Sequence, residues 1–240
     1  MTRRVLVTRT ADGCGELQAM LAPSGLEVAP YPVLRFAEVS DDPGWDEVLA
    51  EIAPGDSAWL VFASPRAARP FVRQADARGG DHLRRLPVAT VGRGTAAAVR
   101  AAGLDVDLVG PGTGAGLAAA LLERFSSRER IVFPAGRDRR PEMPEILASA
   151  GHRVLPVVVY RMDETPREEL PRLPPGLEAV VLTSPRAARL YANGVGARRP
   201  SCTHWALGPT TRAAAARLGI DCRIPDEPDL TSLVEELCRT

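Results

Sequence analysis

The feature that most constrains this chain is a repeat. Ala63-Ser64-Pro65-Arg66-Ala67-Ala68-Arg69 returns as Thr183-Ser184-Pro185-Arg186-Ala187-Ala188-Arg189. Val91-Gly92-Arg93-Gly94-Thr95-Ala96 returns as Leu207-Gly208-Pro209-Thr210-Thr211-Arg212, and each is followed by a helical stretch closing on a glycine, Gly103 or Gly219. Two more anchors pair Val5–Arg9 with Ile131–Ala135 and Gly25–Pro30 with Gly151–Pro156. All four keep the same order, at separations of roughly 116–126 residues, about half the chain. Such a chain folds as two like domains.

The elements between the anchors set the class of those domains. Short apolar runs such as Trp59-Leu60-Val61-Phe62 and Ala179-Val180-Val181-Leu182 alternate with Ala- and Leu-rich helical stretches. Apolar runs without a polar alternation are strands covered on both faces. Strands of that kind alternating with helices make a parallel α/β sheet. The expected strands are 4–8, 26–31, 58–63, 87–91, 130–133, 153–158, 178–183, 204–207 and 221–224. Helices are expected over 16–21, 66–78, 95–102, 116–125, 144–150, 185–192, 210–218 and 230–239. The Pro-punctuated segments Tyr31–Phe36 and Val157–Asp163 hold equivalent places in the two halves and read as extended crossings between the domains.

Composition removes several kinds of function. The 240 residues contain no lysine, so all 30 basic side chains are arginine. A Walker phosphate loop and a lysine Schiff base are therefore impossible. Thirty acidic groups balance the thirty basic ones, which leaves no basic excess for nucleic acid. No apolar stretch approaches the ~18–20 residues of a membrane helix. The run after Met1-Thr2-Arg3-Arg4 ends at Thr8-Arg9, which is no secretory signal, so a cytoplasmic location is expected. Four cysteines and three histidines show no zinc-ligand spacing, so no metal is expected.

Each half carries two strand-to-helix turns built from small residues. Ser64-Pro65 and Ser184-Pro185 place a hydroxyl at an N-cap with Pro at the first helical position. Gly92-Arg93-Gly94-Thr95 and Gly208-Pro209-Thr210-Thr211 do the same with Gly and Thr. Taken singly, each is explained by helix capping. Taken together, they are four helix N-termini at the carboxyl ends of parallel strands, where α/β sheets bind anions. Two facing domains would then present several anion sites to one polyanionic ligand. Among the arginines, Arg9, Arg137 and Arg140 follow strand ends and are candidates for carboxylates, although most arginines here are solvated surface charges. Tyr160, one of three tyrosines, lies in the second crossing. A tyrosine in an apolar run is usually core, but a phenol there could donate a proton to a leaving hydroxyl.

These stretches, in this order, resemble the uroporphyrinogen-III synthase family. They are Val5–Arg9, Phe62–Ala67, Val91–Ala96, Pro134–Arg137, Val159–Met162, Leu182–Pro185 and Leu207–Ala213. The resemblance implies two flavodoxin-like parallel-sheet domains joined by a two-stranded linker. The first would combine residues 1–33 with 164–240, the second would span 37–158, and 34–36 and 159–163 would be the linker. It implies an enzyme, a lyase of tetrapyrrole and haem biosynthesis. Its substrate would be hydroxymethylbilane, a linear tetrapyrrole carrying acetate and propionate groups. The enzyme removes the terminal hydroxyl as water, inverts the last pyrrole ring through a spiro intermediate and closes the macrocycle, with no cofactor. Tyr160 matches the family's candidate acid, and Ser64, Thr95, Ser184, Thr210 and Thr211 match cleft positions, beside Gly92, Gly208, Arg9, Arg137 and Arg140. Ala63 stands where the family usually has Thr, while Thr183 keeps the hydroxyl in the other half. A monomer with at most a transient contact to the preceding pathway enzyme is expected, with neither nucleic acid nor membrane as partner.

Two other classes compete. The glycine patterns Gly92–Ala97 and Gly110–Ala115 both match G-x-G-x-x-A and admit a nucleotide-dependent α/β enzyme, which would retain a dinucleotide on purification. A non-catalytic two-domain binding protein would take a small ligand without turnover.

Overall fold

The computed structural model describes residues 2–227 and 229–239. The expected first domain also includes Met1, Pro228 and Thr240, which lie outside them. The elements run β1 (Arg3–Val7), α1 (Gly15–Leu21), β2 (Leu26–Pro30), β3 (Leu34–Glu38), α2 (Gly44–Glu51), β4 (Trp59–Phe62), α3 (Ala68–Ala77) and β5 (Val88–Thr90). Then come α4 (Arg93–Ala101), β6 (Leu108–Val109), α5 (Gly114–Arg124), β7 (Arg130–Gly136), α6 (Glu142–Ser149) and β8 (Arg153–Glu164). The chain closes with β9 (Leu177–Leu182), α7 (Pro185–Val195), β10 (Thr203–Ala206), α8 (Pro209–Ala216) and α9 (Leu230–Cys238). The chain divides into two compact units, Met1–Arg35 with Asp163–Thr240, and Phe36–Met162. It leaves the first unit within β3 and returns within β8.

The sheets explain the repeat. In the first unit the order is β10-β9-β1-β2, all parallel. In the second, β8-β7-β4-β5-β6 are parallel, with β3 as a further neighbour at the β8 edge. Matching each strand to its repeat partner gives β2 with β8, β1 with β7, β9 with β4 and β10 with β5. Both units thus have the flavodoxin-like spatial order, in which the chain's first strand lies inside the sheet. They differ in where the shared order begins along the chain, at β1 in one and at β4 in the other, and in the added β3 and β6 of the second.

Alternation within the apolar runs assigns the cores. Leu60 and Phe62 of β4 pack with Val48 of α2 and Phe71 of α3. Their neighbours Trp59 and Val61 point to the opposite face, against Leu117 and Leu121 of α5 and Leu147 of α6. The first unit repeats this: Val180 and Leu182 meet Ala188 and Tyr191 of α7, while Ala179 and Val181 meet Leu17 of α1 and Leu233 of α9. Both faces of each sheet are covered, which is why these strands carry no polar alternation. Among the described residues no helix is long and apolar enough to cross a membrane.

One expected strand is absent, one helix was not expected, and the extended crossings are themselves largely strand. Residues 221–224 form no strand: only Arg223 bridges to Trp205. Its amide donates to the His204 carbonyl and its carbonyl accepts from the Ala206 amide, and the pairing stops there. The expected crossings are regular strand over much of their length, since residues 34–38 are β3 and 157–163 lie within β8. Helix α2 was not expected, although Trp45, Val48 and Ile52 carry helical spacing and are buried.

A buried polar pair in the first unit makes stability depend on pH. The Tyr191 hydroxyl and His204 Nε2 are 3.0 Å apart, and His204 Nδ1 lies 2.9 Å from the Cys202 carbonyl. A carbonyl only accepts, so Nδ1 carries the proton and Nε2 accepts from the phenol. Burial pushes the imidazole's pKa below its ordinary 6.5, the Cys202 carbonyl opposes this, and the Arg199 charge adds to it. Above pH 6.5 both folded and unfolded His204 are neutral. Below it the unfolded chain takes up a proton that the folded site refuses, so stability falls with pH until the folded pKa is passed. Denaturant unfolding between pH 8 and 5 is expected to show that loss in the natural chain and a shallower one in His204→Gln. Equal slopes would remove His204 as the cause.

Candidate functional site

The second unit holds a cavity of about 610 Å³ at the carboxyl ends of its strands. Each wall comes from the end of a different element. Ala63 and Ser64 follow β4, Val91 follows β5, and Gly136 ends β7. Thr113, Gly114 and Ala115 open α5, and Glu142 and Met143 open α6. Arg139 and Arg140 come from the turn between β7 and α6, and Tyr160 stands on β8. Parallel strands all end at the same edge of a sheet, so one edge collects these turns.

Tyr160 is held from three sides. Its hydroxyl donates to Ser64 Oγ at 3.0 Å. Its ring stacks on Phe36, with centroids 5.5 Å apart and planes 22° from parallel. Its backbone carbonyl accepts from the Arg137 amide at 2.9 Å. The β7–β8 register shifts at this point, with Ala135 opposite Val158 and Gly136 opposite Tyr160. That irregularity leaves one extra residue on β8 and re-aims the side chains beyond it. Gly136 is glycine for a visible reason: a Cβ there would lie 2.7 Å from Tyr160 Cζ and 2.9 Å from its hydroxyl oxygen.

Ser64 has two roles. Its Oγ accepts from the Arg66 amide at 3.3 Å, capping the turn into α3, and also from Tyr160. Among the described residues Ser184 in the first unit has the capping bond alone, accepting from the Ala187 amide at 3.1 Å. Thr113 caps α5 by accepting from Gly116 at 3.1 Å. The next amides, Gly114 and Ala115, line the cavity at the positive end of a helix that leaves its first N–H groups without internal partners. With Arg139 and Arg140 beside them, the cavity can take anionic groups; Asp138 and Glu142 bring acid to the same wall.

Of the residues singled out in the sequence, the cavity brings together Ala63, Ser64, Arg140 and Tyr160, with the 112–115 part of the second glycine pattern. Arg137 lies instead on a shallower hollow shared with Arg139 and Pro144. Gly92 caps α4 and approaches the Gly112 turn, and Thr95 is buried in the first turn of α4. In the first unit, Arg9 follows β1, Ser184 caps α7, and Gly208 caps α8, whose first turn holds Thr210 and buried Thr211. The Thr183 hydroxyl is tied to Thr8, donating to its carbonyl at 3.2 Å. Sequence reasoning picked none of Arg139, Gly136, Phe36 and Glu142 as site residues, although Arg139 lay in the arginine cluster 137–140, Gly136 in the stretch Pro134–Arg137 and Phe36 at the end of the first crossing. Gly136, a glycine closing an apolar strand run, was the legible signal among them.

A family model for uroporphyrinogen-III synthase HemD matches residues 15–235. The chain belongs to that family. Two solved structures resemble it along its length. A mutant uroporphyrinogen III synthase from the extremely thermophilic bacterium Thermus thermophilus is 20% identical with a TM-score of 0.60, covering 99% of this chain and 98% of that one. Uroporphyrinogen-III synthetase from Helicobacter pylori 26695 is 15% identical with a TM-score of 0.64, covering 99% of each. At these identities the likeness is one of fold: two α/β domains with parallel sheets. Membership in the synthase family makes the chain a lyase-type enzyme of tetrapyrrole biosynthesis.

Proposed function

We propose that this chain cyclises hydroxymethylbilane to uroporphyrinogen III, acting as a monomer in the cytoplasm. The observation that carries this reading is the family match across residues 15–235. In this reading the two units are the domains of the synthase. Tyr160 Oη gives its proton to the departing hydroxyl of the substrate, breaking its bond to Ser64 to do so. Ser64 holds the phenol in the cavity until substrate replaces it as acceptor. Arg139, Arg140 and the first amides of α5 take substrate carboxylates. Arg9, Ser184, Gly208, Thr210 and Thr211 supply donors for others in the first unit, and Gly92, Thr95 and Arg137 support the turns around the cavity. The substrate loses its hydroxyl readily, so positioning contributes more than strong acid or base chemistry. Tyr160 puts a phenol on the wall of this cavity, at the carboxyl ends of the strands. At the place in the first half that the repeat pairs with it stands Leu34.

The test is conversion of hydroxymethylbilane with isomer analysis of the product. Formation of the inverted isomer supports the reading; only the uninverted isomer, at the spontaneous rate, would end it. In this reading the reaction needs no cofactor, as the family resemblance implies. Turnover is expected to survive exhaustive dialysis and excess chelator, and a loss restored by a metal or nucleotide would refute that.

A further inference from the structure

A second, smaller cavity of about 250 Å³ lies in the first unit, away from every residue used above. It is walled by the segment after β8, by the last turn of α7 and by Tyr31, which follows β2. Three arginines, Arg167, Arg172 and Arg198, line it, and no acidic side chain does. Among the described residues none of the three has an ion-pair partner. Of the two glutamates that follow Arg167, neither lines the cavity, and Glu169 is held by Arg35 at 2.9 Å. Apolar contacts complete the lining: Leu170, Leu173 and Val195.

Tyr31 is the independent sign of a ligand. It is only 3% exposed, and its ring meets Tyr191 edge-on with centroids 6.0 Å apart. A Cβ on the cavity-lining Gly194 would sit 3.1 Å from the Tyr31 hydroxyl oxygen, which places that oxygen at the cavity wall. Among the described residues this hydroxyl makes no hydrogen bond. The ring is buried but the hydroxyl is not closed off: it reaches the cavity, where a phenol ordinarily gives its O–H to an acceptor. Arg167 and Arg198 line the same cavity as Tyr31; burial pushes the phenol's pKa up, and the charges of Arg198 and Arg167 pull it back.

We infer that this cavity is a binding site for a small organic anion. Its carboxylate or phosphate head would lie among Arg167, Arg172 and Arg198 and accept from the Tyr31 hydroxyl. Its apolar body would lie on Leu170, Leu173 and Val195. Arginine without a protein carboxylate suits either head group, because its planar fork matches both. The apolar floor selects a ring or short acyl chain over a bare inorganic ion. The site is separate from the cavity around Tyr160 and does not depend on what that cavity does.

Calorimetric titration of the full chain with benzoate, phenyl phosphate and inorganic phosphate, at constant ionic strength, tests this. At least one of the two organic anions is expected to bind at one site per chain, and whichever is tighter identifies the head group. Inorganic phosphate should bind more weakly than phenyl phosphate. Removing one guanidinium, in Arg167→Ala or Arg198→Ala, should weaken binding roughly tenfold, the size of one charge-assisted contact. Both residues are exposed, so these variants should fold. Tyr31→Phe, which keeps the ring, should weaken binding several-fold with unchanged thermal unfolding. No heat with either organic anion, affinity unchanged in both arginine variants, or affinity lost instead in Arg140→Ala would each overturn the inference. The readout is binding, so a failure here leaves the cyclisation assay untouched, and the reverse also holds.

Discussion

Tyr160→Phe is expected to slow formation of the inverted product by ~10²–10⁴-fold, the range that one general-acid contact contributes. The substitution removes a single oxygen. The ring keeps its stacking on Phe36 and the backbone keeps its bond from Arg137, so the fold is expected to be retained. What disappears is the only bond the phenol makes to Ser64 and the proton it would deliver. Residual turnover is expected, because the substrate's hydroxyl departs unaided at a lower rate. The measurement is a steady-state rate with isomer analysis, beside a thermal unfolding curve. A rate within twofold of the natural enzyme would return Tyr160 to a packing role. Ser64→Ala should act in the same direction and less strongly, since it removes the hydroxyl that holds the phenol but not the phenol itself.

Gly136→Ala is the second large effect, and it reaches the chemistry through position alone. The added methyl would stand 2.7 Å from Tyr160 Cζ and 2.8 Å from Cε2, far inside van der Waals contact. The backbone beneath it is a β7 strand end already bonded to β8, so the ring is the part that must move. Displacing a reacting group by about 1 Å costs on the order of 10²-fold in rate, and that is the loss expected here. The double variant separates position from any other cause. If Gly136 matters only because it makes room for the phenol, Gly136→Ala should cost little more once Tyr160 is already Phe. Strict additivity of the two losses would show that Gly136 acts on something else.

The two variants also show where sequence reading stops. The repeat, the buried strand runs and the capping turns were legible because each is a local pattern. A serine before proline at a strand end predicts an N-cap, and Ser64 and Ser184 both cap. Glycines closing helices predict the left-handed conformation, and Gly25 and Gly219 adopt φ of 69° and 67°. Even the two-unit organisation followed from anchors repeated at half the chain length.

Nothing local, however, distinguishes Ser64 from Ser184. Their neighbours match almost residue for residue, and only the first receives a phenol, from 96 residues further along the chain. That pairing depends on β4, β7 and β8 lying side by side and on one shifted register at Gly136. Arg139 was likewise indistinguishable from its neighbours Arg137 and Arg140 as one cation in a run of charged residues. The turn into α6 puts it on the cavity wall together with Arg140 and leaves Arg137 on another surface. Sequence alone settled the kind of fold, because periodicity and capping act over a few residues and follow from side-chain chemistry. Which of the equivalent turns became a site was decided by tertiary structure, because strand order and register bring together residues that no local pattern connects.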